Sequence, residues 1–189
     1  MSIGIGDNLG KSFGFAKDSL IGKWLNWLLL IIVTIIPIVN LIGNGIYLKI
    51  YRGEEPVVKN IGKAFIDGLL LCIIAIIYMI IPAIVDVLVG GLGLVGSIIS
   101  LIVTIAFVLI LIPAEYAFAQ KGFGAAFAFG DHFAKIKKIG WGQYILSVLV
   151  FFIVVAILGS IALLIPVIGW IFLPFVFIFS MKFVANLFA

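Results

Sequence analysis

The sequence predicts an all-α integral membrane protein. It would hold about six apolar helices, arranged as three hairpin-like repeats, each preceded by a basic amphipathic segment at the membrane surface. Three observations predict this. Of the 189 residues, 65% are apolar and only 11% are charged, against about 25% charged in a soluble domain. Most side chains must therefore face lipid or each other. Uncharged runs recur, and the longest, from Trp141 to Met181, is about twice the roughly 20 residues that one helical crossing needs. The net charge is +4, and its lysines lie in the segments between the runs. That pattern fits membrane topology and anionic headgroups, not nucleic acid. No polar stretch is long enough to hold a soluble core, so residues 1–189 read as one transmembrane domain.

Taken in order, residues 3–20 place Ile5, Leu9, Phe13, Ala16 and Leu20 at three- and four-residue spacing, one face of a helix. Lys11, Lys17 and Asp18 fall off that face, as in a helix lying on the membrane surface. Gly4, Gly6, Gly10 and Gly14 weaken the helix, and a disordered tail is the alternative. The start is polar and Gly-rich, unlike a secretory signal. Trp24 to Leu48 carries no charge and holds Ile36-Pro37-Ile38-Val39. It is either one kinked crossing or a short hairpin turning at Pro37 to Asn40. Lysines on both flanks favour the hairpin.

Tyr51 to Lys63 reads as a polar connector, with Val57, Ile61, Ala64 and Phe65 as a second small amphipathic helix. Gly68 to Val85 crosses once. Gly90 to Gly96 turns on the outer side, because it lacks Lys and Arg, and Ser97 to about Phe118 returns. Lys121 to Lys138 is basic and cytoplasmic, with Ala126, Phe129, Phe133 and Ile136 as a third amphipathic stripe. Trp141 to Met181 then folds back at Ile165-Pro166-Val167-Ile168-Gly169-Trp170, since Pro disfavours helix in the residue before it. The repeat units are roughly 3–52, 57–120 and 123–188.

Chemistry-bearing residues are few. Gly91-x-Gly93-x-x-Gly96 spells the dinucleotide fingerprint, but it joins two membrane helices where that motif needs a strand and a helix. It reads as a turn with close helix approach. Asp86 and Glu115 are the candidate intramembrane acids. An ionisable group in lipid is costly and a functional candidate by default, yet each ends an uncharged run, which suits the headgroup level. Asn40 and Asn44 are four apart and either bond between helices or form the hairpin tip. Lys135, Lys137 and Lys138 are candidate contacts for anionic lipid headgroups. His132 is the single histidine and Cys72 the single cysteine. A metal site, a disulfide within the chain and a nucleophilic triad are not expected. Trp24, Trp27, Trp141 and Trp170 sit at run ends, where interfacial anchors belong.

Several stretches resemble a family of small prokaryotic, largely archaeal, membrane proteins: domain-of-unknown-function family four-zero-one-three. They are Ile36-Pro37-Ile38-Val39 through Arg52-Gly53-Glu54-Glu55, Ala64-Phe65-Ile66-Asp67-Gly68, Ala126-Phe127-Ala128-Phe129-Gly130-Asp131, Ile139-Gly140-Trp141-Gly142, and Leu163-Leu164-Ile165-Pro166-Val167-Ile168-Gly169-Trp170. The resemblance extends to the membrane domain of some glycerophosphodiester phosphodiesterases, and implies a membrane module without its own catalytic site. The functional expectation is a non-enzymatic scaffold or accessory protein of the cell membrane, multi-pass, organising lipid or a membrane complex, with basic segments cytoplasmic. Its partners would be anionic lipids, a membrane protein or further copies of itself. No cofactor is expected. The alternative is a carrier of a lipid or small apolar solute.

Overall fold

The computed structural model describes residues 3–164 and 166–189, and within these the side chains of all but 162–168. Every regular element in them is helical: α1 (Ile5–Leu20), α2 (Trp24–Ile35), α3 (Asn40–Tyr51), α4 (Ile61–Val89), α5 (Leu94–Lys121), α6 (Phe129–Ile139), α7 (Trp141–Leu164) and α8 (Pro166–Phe188). Among the described residues, four stretches are long and apolar enough to cross a membrane: Ile61–Leu92, Leu94–Lys121, Trp141–Ile161 and Gly169–Phe188. Counting the bent pair α1 and α2 as one span raises this to five, while α2 and α3 taken alone have 12 residues each. That is roughly 18 Å at 1.5 Å per residue, short of a hydrocarbon core about 30 Å thick.

The first uncharged run is a short helical hairpin. Ile36 to Val39 break the helix, and Ile38 takes φ 68°, in the left-handed region. Asn40 donates from Nδ2 to the Thr34 carbonyl across the break (2.7 Å), and the hydroxyls of Thr34 and Tyr47 share a 2.7 Å bond. These bonds hold α3 on α2. The connector after α3 forms no helix at Val57, and Ile61 and Ala64 instead open α4. Lys49 explains the difference, donating from Nζ to the carbonyls of Val57 (2.9 Å) and Lys59 (3.3 Å). Those carbonyls are thereby drawn out of any local helical ladder.

Helix α4 then returns along α3 at the closest approach in the bundle. A Cβ at Gly45 would overlap the Ala64 carbonyl, and one at Gly68 the Leu41 carbonyl. Small residues let backbones touch where lipid supplies no hydrophobic drive between helices. The tip between α4 and α5 is the turn expected at Gly90 to Gly96. Gly93 takes φ +59°, and Gly96 lies against the Val89 carbonyl.

Helix α1 departs from expectation. It packs on α8 and buries Asn8, Ser12, Ala16, Ser19 and Leu20, leaving Phe13 half exposed. Asn8 explains the rotation: its Nδ2 donates to the Phe183 carbonyl (3.0 Å), and its Oδ1 accepts from Ser12 (3.1 Å) and from Asn186 (3.0 Å). In apolar surroundings an unmet amide costs more than an exposed phenylalanine. Helices α7 and α8 pack on one another, and the fold-back expected around Ile165 lies outside the described residues. Helix α8 is the hub, touching α1, α2, α3, α5, α6 and α7.

Candidate functional site

At the end of the bundle where α3 and α5 finish, backbone and charged groups interlock in a polar layer. The run-ending Arg52 donates from Nη1 to Asp67 Oδ2 (2.7 Å) and from Nε to the Ala119 carbonyl (2.8 Å), stitching α3 to α4 and α5. Gln120 donates back to the Tyr51 carbonyl. On the neighbouring connector, Lys23 pairs with Glu55 (2.7 Å). Asn26 donates to the Pro56 carbonyl (3.1 Å) and accepts from the Val58 amide (3.0 Å). On α6, Lys135 stands 4.8 Å from the centre of the Tyr116 ring. Partial burial, with Lys121 nearby, pulls its ammonium below the usual lysine range. Lys137 and Lys138 are exposed, as headgroup contacts would be.

Between α5 and α7 the packing fails. The two are tied by a 2.6 Å hydrogen bond from Tyr144 Oη to the Leu109 carbonyl. Beside that bond lies a groove of about 320 Å³, walled by Thr104, Ile105, Val108, Ile145, Leu149 and Phe152 among others. Branched side chains on both walls hold the backbones apart, the opposite of the glycine contact between α3 and α4. A second cavity of about 210 Å³ lies next to the groove, with Val108 and Phe152 lining both. That cavity reaches Glu115, Tyr51 and Ser180. Thr104, Val108, Ile112 and Glu115 are spaced by three or four residues, so one face of α5 runs the whole path. Among the described residues the ion pairs are Lys23–Glu55 and Arg52–Asp67, and neither involves Glu115.

The other candidates separate. Asp86 is exposed near the far end of α4. Asn40 and Asn44 hydrogen-bond each other (3.2 Å) beside the Asn40–Thr34 bond, as parts of the hairpin turn. His132, expected at the surface, is fully buried. Its Nε2 lies 2.9 Å from the Ala126 carbonyl, which also accepts from Tyr78 Oη (2.6 Å), and its Nδ1 has no partner among the described residues. The buried face of this segment is Ala126, His132 and Ile136, while Phe129 and Phe133 of the expected stripe stay exposed. Among the described residues no three His, Cys, Asp or Glu side chains come together as a metal site would need. Tyr51, Asp67 and Asn8 were not singled out by spacing. Arg52, the one arginine of the chain, was the available signal for the first two, because a lone guanidinium at the end of an apolar run asks for a carboxylate.

Four helices long and apolar enough to cross a membrane, with a polar layer at one end, are compatible with a multi-pass helical membrane protein. Within that class, the family model described as a protein of unknown function (DUF4013) matches residues 28–167, and the chain belongs to this family. The match runs from within α2 to the first residues of α8, leaving α1 outside it. No curated protein and no solved structure matches the chain.

Proposed function

We propose that this protein is a non-enzymatic membrane scaffold or accessory component that organises lipid around itself. The observation that supports this best is how its charges are used. Arg52, Asp67, Lys23, Glu55 and Lys49 are bound to one another or to backbone carbonyls, so they lock helices together and leave little free for chemistry. The exposed Lys137 and Lys138, with Lys135, would meet anionic headgroups, each worth about 1 kcal/mol near such a surface. Their segment would face the cytoplasm. The three-unit repeat is part of the reading, and the break at Pro37 supports it. So is the kinship with the membrane domain of glycerophosphodiester phosphodiesterases. A carrier for a lipid is the second reading, favoured by the cavity that brings Glu115 to the groove between α5 and α7. Reconstitution into vesicles with a labelled lipid in one leaflet decides between them. A scaffold leaves transbilayer movement at the protein-free rate. Movement clearly above that rate overturns the scaffold and establishes the carrier.

A further inference from the structure

The path along α5 has a chain-like part, a polar end and a missing counter-charge. From Thr104 to Glu115 is 11 residues of helix, roughly 17 Å at 1.5 Å per residue. One leaflet of a hydrocarbon core is about 15 Å deep. The walls along that length are apolar, and the groove is open toward the bilayer side of the helices. The polar end is also at the right depth. Glu115 lies six residues before Lys121 at the end of α5, roughly 9 Å by the same rise, and so near the headgroup boundary.

There the electrostatics are unfinished. A carboxylate in apolar surroundings is costly unless it is paired. Yet among the described residues Glu115 has neither an ion pair nor a hydrogen-bond donor. The nearby Arg52 is engaged with Asp67 and the Ala119 carbonyl. Tyr51, also lining the cavity, directs no hydroxyl hydrogen bond to any described residue. At this same end, Lys121 lies close enough to Lys135 to disfavour its charge. They offer a place for an anion.

We propose that this groove is a binding site for an aminolipid of the adjoining leaflet. One acyl chain lies along α5 between Thr104 and Phe152, and its primary ammonium is hydrogen-bonded to Glu115. Its phosphate would face Lys121 and Lys135. A zwitterionic head of the phosphatidylethanolamine type meets both signs of charge, whereas a purely anionic lipid meets only the lysines and is repelled by Glu115. The site stands on either reading of function, since a scaffold holds such a lipid and a carrier moves it.

The test is native mass spectrometry of the full-length protein in mild detergent. The probes are phosphatidylethanolamine, phosphatidylglycerol with the same chains, and dodecylamine. Phosphatidylethanolamine is expected to be retained about tenfold over phosphatidylglycerol, a 1.4 kcal/mol preference. Glu115→Gln is expected to erase that preference and leave phosphatidylglycerol retention unchanged. Leu149→Trp, on the outer wall of the groove, is expected to weaken phosphatidylethanolamine retention with Glu115 intact, which keeps the test decisive even if Glu115→Gln does not fold. Equal retention of the two phospholipids overturns the proposal, as does a preference that survives Glu115→Gln. Retention of dodecylamine without phosphatidylethanolamine overturns it in favour of a site for free amines. A dimer whose retention of either lipid Leu149→Trp does not alter overturns it in favour of a second copy in the groove.

Discussion

The contact of α3 with α4 and the gap between α5 and α7 are two solutions to one problem. Both pairs are helices of an apolar bundle, where the hydrophobic effect gives helices no reason to prefer each other over lipid. At Gly45 and Gly68 the side chain is absent and the backbones meet. At Val108, Ile145, Leu149 and Phe152 the side chains are bulky and the helices stay apart around open volume. The volume beside the Cα separates a joint from a groove.

Substitutions can break or sharpen this contrast. The largest effect is expected at the joint. Gly45→Val or Gly68→Val forces side-chain atoms into a carbonyl and should cost about 3 kcal/mol, measured as a lowered unfolding midpoint in mild detergent. Gly62, on the same helix with open space around it, is the internal control. Gly62→Ala should stabilise by about 0.5 kcal/mol from helix propensity, and a loss there would show that glycine is needed for something other than close approach. Next comes the latch across α3, α4 and α5. Arg52→Ala leaves Asp67 and the Ala119 carbonyl unmet in a site largely shielded from solvent, at a cost of about 2 kcal/mol. Adding Asp67→Asn should recover part of it, and strict additivity of the two changes would argue that the pair is not coupled.

A smaller effect is expected for Asn8→Ala, about 1 kcal/mol for the lost amide bonds. Its sharper readout is local, since trypsin should cut after Lys17 and Lys23 faster once α1 loosens from α8. The smallest belongs to the groove wall: Ile145→Ala and Leu149→Ala are exposed on the lipid side and should change stability by under about 0.5 kcal/mol. A loss of several times that would mean the groove is packed in the membrane and not open.

Sequence periodicity located the long helices well, because 20 or more uncharged residues have few alternatives in lipid. The Gly90 to Gly96 turn was legible for the same kind of reason, as the only break between two uncharged runs. Short elements were harder. The 12-residue arm before Pro37 is as apolar as a true crossing and falls short only in length, set by where the turn falls, while the arm after it carries Asn40, Asn44 and Lys49. The amphipathic segments were misread in detail because hydropathy ranks Phe above Asn and Ser. Asn8 and His132 are buried through hydrogen bonds to particular backbone carbonyls, with Ser12 bonded to the Asn8 side chain, and a carbonyl carries no signature in sequence. The cavity at Glu115 was partly legible. The acid stood out, but its neighbours Tyr51 and Ser180 come from helices more than 60 residues away in the chain on either side.

The bond between Asn8 and Phe183 joins positions 175 residues apart. Translation proceeds at about 5–20 residues per second, so α1 waits roughly 10–35 s after its own synthesis before α8 exists. During that interval Asn8 has no Phe183 carbonyl to meet. The contact of α1 with α8 therefore forms only after α8 is made. Until then the unclaimed Asn8 and Ser12 face marks an unfinished chain, a feature that membrane quality control could read.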